Sequence, residues 1–553
     1  MFRGLVVLVQ PPLAMGASYH LAEPLGLLLT AGALRHAPGV ERVVVVDQAL
    51  ELAEGTLPTG AGLVRAATDR LLEVAADVYA FSVQCVDLPI ALAIARALKS
   101  ARPDATLVFG GHQASLLGPE IRRAFPFVDH VVTGPGERAA GPLRAGASPT
   151  ATSPAGPAAE WTLPAYDLAA PFERYAAVSA QPTGLVEVAR GCPYDCAFCS
   201  IPATSGRRVT FKPVDRIMHE LDVLADRGCT SVHLVHDTLT INPRFTAELL
   251  RALRRRERPV AWTGMTRADL TDPALLREMA AAGCEGLLVG VDAVEPATQK
   301  LISKRAGRYP AVVDLVRWHA EAGLASTFYF LVGFPGEDPA SVEHALGEAA
   351  RASVVDPGSC HVQYPRLVPG TPLGAAAGRD GLVLDLDSPY AQWLMRTAEG
   401  EPEVLDLVAR HPAVFSTYYA STGGQDRQLL LTLAWTASKL LSALPMTLAA
   451  LAELHALVPL FRAVGRRLDD PASLREASVR TLLPIVSAHV ADTAPALLPF
   501  VRFEDWLYGG HGDHVSVVDR AAARAAVLDR QPVSAALSGG PRRYRRTTGI
   551  EGR

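Results

Sequence analysis

Cysteine is scarce in this chain, with seven residues among 553. A disulfide-stabilised fold needs an even set of cysteines in a small secreted domain, so this sparse and odd count excludes that class. The first residues also lack the pattern of a secretory signal, and we therefore expect a cytoplasmic protein.

Neither a strong excess of one charge nor a long uninterrupted apolar run occurs. The formal net charge is -4, so nucleic acid is not expected as a partner. The most apolar region, residues 429–464, is interrupted by Lys439, Pro445, Glu453 and Pro459, and its apolar residues recur at helical spacing. It predicts buried helices and no membrane span. A chain of this length is too long for one hydrophobic core, and we expect three domains.

Three of the cysteines lie together, in the segment Arg190-Gly191-Cys192-Pro193-Tyr194-Asp195-Cys196-Ala197-Phe198-Cys199. Three thiolates in one short loop, without a fourth, predict a four-iron cluster that has one iron open to a substrate or cosubstrate. A zinc site is the main alternative, with His219, His233 or His236 as a fourth ligand. Structural zinc loops usually pair Cys-x2-Cys units, and no second unit occurs here.

The Cys-x3-Cys-x2-Cys spacing, the Gly-Cys-Pro start and the aromatic Phe198 before the last cysteine resemble the signature of the radical S-adenosylmethionine (SAM) enzymes. The resemblance implies a 4Fe-4S cluster on Cys192, Cys196 and Cys199, with the amino and carboxylate groups of SAM on the open iron. It also implies an external one-electron reductant, such as flavodoxin or ferredoxin.

The first 137 residues alternate short apolar runs with helical patterns, which predicts an α/β fold with an open, doubly wound, Rossmann-like sheet. Strands are predicted at residues 5–9, 42–46, 78–83, 106–109 and 130–132. Helices are predicted at residues 25–34, 63–74, 88–98 and 119–124. Ligands of such sheets bind beyond the carboxyl ends of the strands. The residues there that we expect to contact a cofactor are Gln10, Pro11, Ser82, Gln84, Gly110, Gly111, His112, Gly134, Gly136 and Glu137.

The turns Gly110-Gly111-His112 and Gly134-Pro135-Gly136-Glu137 resemble the cobalamin-binding domain that precedes the barrel in one large class of radical SAM enzymes. The resemblance covers residues 11–137 and implies cobalamin as a further cofactor. No Asp-x-His-x-x-Gly sequence occurs here, so we expect cobalamin to bind base-off, without a histidine ligand to cobalt. A Rossmann-like module that holds no cofactor is the alternative.

A second series of strands and helices follows a linker at residues 138–160, which is rich in Gly, Pro, Ala, Ser and Thr. Strands are predicted at residues 184–188, 231–234, 260–264, 286–291, 327–332 and 361–364. Helices are predicted at residues 215–225, 243–253, 273–282, 311–322 and 340–352. The series predicts a partial, TIM-like (β/α)6 barrel at residues 161–373, with its site at the carboxyl ends of the strands.

Several of these strand ends are similar to the SAM-binding elements of the family. The residues that the resemblance places around SAM are Phe198, Asp237, Arg267, Asp292, Val332 and Gly333. Asp237 is expected at the SAM amino group, and Arg267 at its carboxylate or in the wall of the site. Asp292 stands where the family has glutamate, which weakens the expected contact with the ribose. An ordinary ion pair is the alternative for Asp237 and Arg267.

Residues 374–515 predict a mostly helical C-terminal domain that covers the open side of the barrel. Residues 516–553 predict a basic, disordered tail. His361 and Tyr364, at the last barrel strand, are candidate acid/base groups. The remaining cysteines are too far apart for a second cysteine-ligated cluster, and the methylthiotransferase branch is excluded because it needs three more ligands before Cys192.

The resemblance implies a cobalamin-dependent radical SAM enzyme, and within that class a methyltransferase for an unactivated carbon or a phosphinate-type centre of a natural product. In such enzymes a 5'-deoxyadenosyl radical removes a substrate hydrogen, and the substrate radical takes methyl from methylcobalamin. The substrate is a small molecule, a lipid or a peptide. Two alternatives stay open: a cyclase or rearranging enzyme without net methyl transfer, and a non-catalytic cobalamin or cluster sensor.

Overall fold

A computed structural model describes residues 4–14, 21–140, 161–179, 182–304, 310–376, 382–421 and 426–508. Most of the predicted linker and all of the predicted tail lie outside the described residues. The described chain contains one five-stranded and one six-stranded parallel sheet, with helices around both. The predicted α/β fold is therefore confirmed.

The first sheet is open and parallel, with strand order β2-β1-β3-β4-β5. Its strands are β1 (Gly4–Gln10), β2 (Val40–Asp47), β3 (Val78–Ser82), β4 (Thr106–Gly110) and β5 (His130–Val131). Its helices are α1 (Leu25–Leu34), α2 (Gln48–Ala53), α3 (Leu63–Leu72), α4 (Leu88–Ala101) and α5 (His112–Ala124). Residues 6–9 are buried because helices cover both faces of the sheet, and all five predicted strands are confirmed.

Two helices of this domain differ from the predictions. The six-residue helix α2 was not predicted, since it is too short to show a helical period; the Asp47 carboxylate caps it by accepting from the amides of Ala49 and Leu50. Helix α5 begins at His112, seven residues before its predicted start at 119. The predicted start follows from Pro119, but the helix continues across a kink at Leu117.

The second sheet is a partial barrel with strand order β13-β12-β11-β10-β9-β6, and every neighbouring pair is parallel. A separate hairpin joins β7 and β8. The strands are β6 (Gly184–Glu187), β7 (Ala189–Arg190), β8 (Thr210–Phe211), β9 (Ser231–Val235), β10 (Ala261–Arg267), β11 (Cys284–Asp292), β12 (Thr327–Leu331) and β13 (Cys360–Gln363). The helices are α6 (Phe172–Val178), α7 (Ile201–Thr204), α8 (Val214–Asp226), α9 (Pro243–Arg254), α10 (Pro273–Ala281), α11 (Pro296–Leu301), α12 (Val312–Glu321) and α13 (Pro339–Val355). The six predicted barrel strands are confirmed.

The residues after the barrel are mostly helical and pack in two places. The elements are α14 (Pro372–Ala376), β14 (Leu382–Leu384), α15 (Ala391–Thr397), α16 (Pro402–Arg410), β15 (Tyr419–Ser421), α17 (Arg427–Ala443), α18 (Pro445–Glu453), α19 (Leu457–Arg467), α20 (Pro471–Glu476), α21 (Val479–Thr493) and α22 (Leu498–Tyr508). Apolar side chains of residues 391–419 join the core of the first sheet, whereas those of residues 429–501 join the core of the barrel. The C-terminal chain thus packs on both domains.

No single helix in the described ranges is long and apolar enough to cross a membrane. Only the pair α17 and α18, bent by 109°, meets such a criterion together, on length and composition alone.

Candidate active site

The cysteine loop connects the two strands of the small hairpin, β7 and β8, above the carboxyl end of β6. Gly191 begins the loop with a φ of 91°, and a Cβ atom there would lie 2.3 Å from the carbonyl oxygen of Arg208. Glycine is therefore required at this turn. The Cys192 amide donates to the Gly206 carbonyl over 3.1 Å, which closes the base of the loop.

Cys192 and Cys196 both lie close enough to Cys199 for their charges to act on it. Burial raises the pKa of each thiol, and that of Cys199 to about 12. A buried thiolate needs a neighbouring positive charge, which iron supplies when it binds sulfur. Three sulfur donors on one loop fit a 4Fe-4S cluster with one open iron.

The zinc alternative finds little support among the histidines. His233 Nδ1 is hydrogen-bonded to Thr263 Oγ1 at 2.9 Å, and His236 Nε2 donates to the Gly191 carbonyl at 3.0 Å. His219 lies on an exposed face of α8. Within the described ranges, no three His, Cys, Asp or Glu side chains are grouped as ligands of a single ion.

Asp237 and Arg267, which the resemblance places around SAM, both lie beside the cysteines. Asp237 is partly buried, which raises its pKa, and its charge acts on Cys192 and Cys199. Arg267 is buried in the wall, where its guanidinium donates to both Asp269 oxygens at 2.9 and 3.0 Å. Its Nη1 lies 3.8 Å from Cys196 Sγ. Contacts of either residue with SAM stay predictions.

Asp292 lies at the end of β11 with a φ of 58°, in the left-handed region that residues other than glycine seldom adopt. Its carboxylate is bonded to the ammonium of Lys304, which also donates to the carbonyls of Gly290 at 2.8 Å and Val291 at 3.1 Å. Lys304 is 2% exposed. Sequence reasoning missed this lysine, because it stands in a polar segment that reads as surface.

The loop after β12 is shaped by Glu337, which was also missed. Glu337 Oε2 accepts from the amides of Gly333 at 2.6 Å and Phe334 at 3.0 Å. The Phe334 ring packs against Phe198 with centroids 5.8 Å apart, whereas Val332 is buried in the barrel core. The structure therefore brings Phe334, and not Val332, against Phe198. The Gly-Phe-Pro-Gly-Glu sequence was the available signal for Phe334 and Glu337.

A cavity of about 890 Å³ lies between the first sheet and the cysteine loop. Its polar wall on the first domain contains Ser82, Gly110, Gly111, His112, Ser115, Thr133, Gly134, Gly136 and Glu137. Its apolar wall contains Val6, Leu8, Leu27, Val78, Val108 and Val132. The opposite wall is formed by residues 202–206, Glu187, Arg190 and Arg208. A deep amphipathic cavity of this size fits a large ligand that has both polar and apolar parts, such as a corrinoid.

Three of the residues predicted to contact the cofactor do not line this cavity: Gln10, Pro11 and Gln84. Two of them are held by the buried Asp87, whose carboxylate accepts from the Gln84 amide at 2.7 Å and from Gln10 Nε2 at 3.4 Å. Burial raises the pKa of Asp87 to about 8. Gly111 does line the cavity, and it has a φ of 91° that brings its backbone against Val83.

The two candidate acid/base residues lie in different surroundings. His361 packs against the Tyr329 ring with centroids 5.7 Å apart, and burial lowers its pKa. The Tyr364 hydroxyl donates to Asp385 Oδ2 at 3.0 Å beside Arg366, and burial raises its pKa. The roles of both residues stay predictions.

Family models match two parts of the chain: the B12 binding domain at residues 13–143 and the radical SAM superfamily at residues 186–349. An uncharacterized methyltransferase of Pyrococcus horikoshii is 27% identical over 229 residues, which cover 41% of this chain and 49% of that protein. The hopanoid C-3 methylase of Methylococcus capsulatus is 27% identical over 306 residues, which cover 51% of this chain and 56% of that protein. The chain thus spans about half the length of these curated relatives.

Two solved structures share the fold at low sequence identity. The radical SAM methyltransferase TsrM of Kitasatospora setae, with cobalamin and a 4Fe-4S cluster bound, has a TM-score of 0.58 and 19% identity, covering 86% of this chain and 100% of that one. The cobalamin-dependent SAM radical enzyme OxsB has a TM-score of 0.56 and 13% identity, covering 96% and 83%. The predicted cofactors, a 4Fe-4S cluster, SAM and cobalamin, are those of the two matched domains. The chain thus carries a B12 binding domain at residues 13–143, followed by a radical SAM domain at residues 186–349, as the resemblance of its motifs implies.

Proposed function

We propose that this protein is a cobalamin-dependent radical SAM methyltransferase that acts on an unactivated carbon, or a phosphinate-type centre, of a natural product. One observation carries the proposal: the wall of the cavity opposite the first sheet includes residues 202–206, which begin three residues after Cys199. Transfer of a methyl group between two cofactors and one substrate requires the two cofactor sites to adjoin.

The bound groups supply the difficult chemistry, a carbon radical that removes a substrate hydrogen and a methyl group for the resulting radical. The chain supplies position and shielding. Partly buried Asp237, beside the cysteines, is an acceptor for the SAM ammonium, since a carboxylate forms a charge-assisted bond with an ammonium group. Phe198 and Phe334 together form an apolar surface for the adenine.

Methyl transfer is favoured over rearrangement by the relatives. Besides the hopanoid C-3 methylase, the bacteriochlorophyllide d C-12(1)-methyltransferase of Chlorobaculum tepidum is 26% identical over 161 residues, 28% of this chain and 34% of that protein. Both names describe methylation at a carbon position. The substrate of this chain is proposed only as a small molecule or a peptide, and the reductant as flavodoxin or ferredoxin.

The substrate is proposed to bind inside the barrel, at the carboxyl ends of its strands. Half-buried side chains alternate there with fully buried ones, and Met265 on β10 is 39% exposed within the barrel sheet. Of the two acid/base candidates, the geometry favours His361. Its lowered pKa keeps the imidazole neutral near pH 7, so it can accept a proton, whereas the Tyr364 hydroxyl is bonded to Asp385.

The test uses anaerobically purified, iron-reconstituted protein with hydroxocobalamin, SAM and a strong reductant, beside a Cys196→Ala control. Bound corrinoid is measured by absorbance, and 5'-deoxyadenosine and methylated product by chromatography and mass spectrometry. We expect deoxyadenosine that is lost in the control, with corrinoid retained. Deoxyadenosine with products that never gain a methyl group would replace the methyltransferase by a cyclase or rearranging enzyme. A loaded cluster without any SAM cleavage would indicate a sensor.

A further inference from the structure

Two polar contacts tie the cysteine loop to the first domain, one on each side of the Cys192–Cys199 segment. Arg190, two residues before Cys192, donates to Glu137 Oε1 over 2.5 Å. Ser200, directly after Cys199, shares a 2.9 Å hydrogen bond with His112 Nε2. Glu137 and His112 stand on the two glycine turns that line the cavity. We call these contacts the Glu137 brace and the His112 brace.

The Glu137 brace is held in one geometry by further partners of Arg190. The same guanidinium donates to both oxygens of Glu187, at 2.7 and 2.6 Å, and lies 4.9 Å from the centroid of the Trp161 ring. The Glu137 side chain is only 14% exposed. Because both partners are largely buried, the contact fixes orientation, unlike a solvated surface pair.

The His112 brace connects the start of one helix to the start of another. His112 is the first residue of α5, and Ser200 immediately precedes α7. The Thr204 hydroxyl donates back to the Ser200 carbonyl at 3.2 Å, within the turn that forms the opposite wall of the cavity. A shift of Ser200 therefore moves the wall and the His112 turn together.

The middle of the cysteine loop is bonded to the barrel instead. The Ala197 amide donates to the Ile302 carbonyl at 2.8 Å, and the Ala197 carbonyl accepts from the Leu373 amide at 2.8 Å. The Cys192–Cys199 segment thus contacts the barrel at its centre, and the residues on each side of it, Arg190 and Ser200, contact the first domain. Iron bound to its three sulfurs fixes the loop, and with it the positions of Arg190 and Ser200.

We propose that Glu137 and His112 are positioning residues through which cluster loading and corrinoid binding strengthen each other. A fixed loop holds the two glycine turns in the conformation that lines the cavity. Corrinoid binding then does not have to supply the free energy of ordering these turns. By linkage, a bound corrinoid favours the loop conformation that holds the cluster. The inference rests on the proposed function for its two cofactor sites.

The domains stay joined when the braces are removed, because other contacts connect them. Arg227 at the end of α8 is bonded to Glu23 before α1, and Arg174 on α6 donates to the two Glu54 oxygens at 2.8 and 2.6 Å. The variant Glu137→Gln/Ser200→Ala is therefore expected to fold. A matched control is Glu403→Gln/Ser100→Ala, which makes the same substitutions around the exposed Arg96.

The experiment measures the dissociation constant of hydroxocobalamin by equilibrium dialysis for cluster-free and cluster-loaded protein. In the unaltered protein and the control, we expect loading to lower that constant by about 5-fold or more, a typical size for coupling between sites. In the Glu137→Gln/Ser200→Ala variant the two constants should agree within about 2-fold, with unchanged thermal unfolding.

The variant could load less iron than the unaltered protein, so the reciprocal effect is measured as well. The quantity is the fraction of cluster that each protein retains at equilibrium with a chelator, with and without hydroxocobalamin. The corrinoid should raise that fraction in the unaltered protein and leave it unchanged in the variant. The inference is overturned if cluster loading does not change the dissociation constant of hydroxocobalamin, or if it changes that constant equally in the variant. Either result leaves the proposed function standing. If no form binds hydroxocobalamin, the proposed function fails together with the inference.

Discussion

Replacing Lys304 by methionine tests whether a buried cation supports the end of β11. Lys304 donates to the carbonyls of Gly290 and Val291 and is bonded to Asp292, whose side chain is only 15% exposed. Lys304→Met leaves that carboxylate without its cation at a backbone position already in the left-handed region. Breaking a buried ion pair costs about 3–5 kcal/mol. Because Asp292 keeps some solvent contact, we expect about 3 kcal/mol of lost stability.

The assay is urea unfolding of iron-free protein at pH 7, followed by far-UV circular dichroism, for Lys304→Met, Asp292→Asn and the double variant. The double variant leaves no unpaired charge, so it should lose only about 1 kcal/mol, less than Lys304→Met alone. A Lys304→Met protein within about 0.5 kcal/mol of the unaltered one would refute the argument, and so would additive losses in the double variant.

The same substitution should also reduce iron loading, since the segment that carries Lys304 accepts a hydrogen bond from the cysteine loop through the Ile302 carbonyl. Iron and sulfide content after reconstitution measures this effect. Asp292→Asn keeps a polar group that can accept from Lys304, and is expected to load more iron than Lys304→Met.

Three further predictions concern single side chains. Burial raises the pKa of Asp87 to about 8, so Asp87 in the folded protein keeps a proton that it loses near pH 4 in the unfolded chain. The free energy of unfolding should therefore fall as the pH rises from 4 to 8. Asp87→Asn should reduce this pH dependence, as urea unfolding at several pH values would show. Gly191→Ala places a methyl group 2.3 Å from a carbonyl oxygen and should abolish iron loading, while Gly206→Ala, which meets no atom and carries only the backbone strain of its φ of 81°, should retain more of it. Phe334→Ala should raise the SAM dissociation constant about 10-fold through lost apolar contact, as equilibrium dialysis would show, whereas Val332→Ala should mainly lower stability.

Strand ends in both domains could be predicted from the sequence because each follows a short apolar run with a helix after it. The resemblance of two barrel strand ends to SAM-binding elements pointed to Asp237 and Arg267, which lie beside the cysteines. The strand ends of the first sheet pointed to Gly111 and Gly134, which line the cavity. Helix α5 was mislocated because Pro119 marks a local break, and tertiary packing carries the helix across it.

The braces could not be predicted from the sequence, because they join residues far apart in the chain. Arg190 and Glu137 are 53 residues apart, and Ser200 and His112 are 88 residues apart. Each of these residue types is common at a surface, and only the packing of one domain on the other brings them together. Lys304 was hidden for a similar reason, since a buried lysine and an exposed one read alike in a sequence.

The C-terminal chain packs on both of the domains that carry the proposed cofactor sites. Residues 391–419 are part of the apolar core of the first sheet, and residues 429–501 are part of the core of the barrel. Apolar burial is the larger contribution to stability, so these contacts place the domains, and the braces act within that placement. The core contacts and the two braces therefore have separate roles. Loss of core contacts would move both domains, whereas loss of the Glu137 and His112 braces would release only the ends of the cysteine loop.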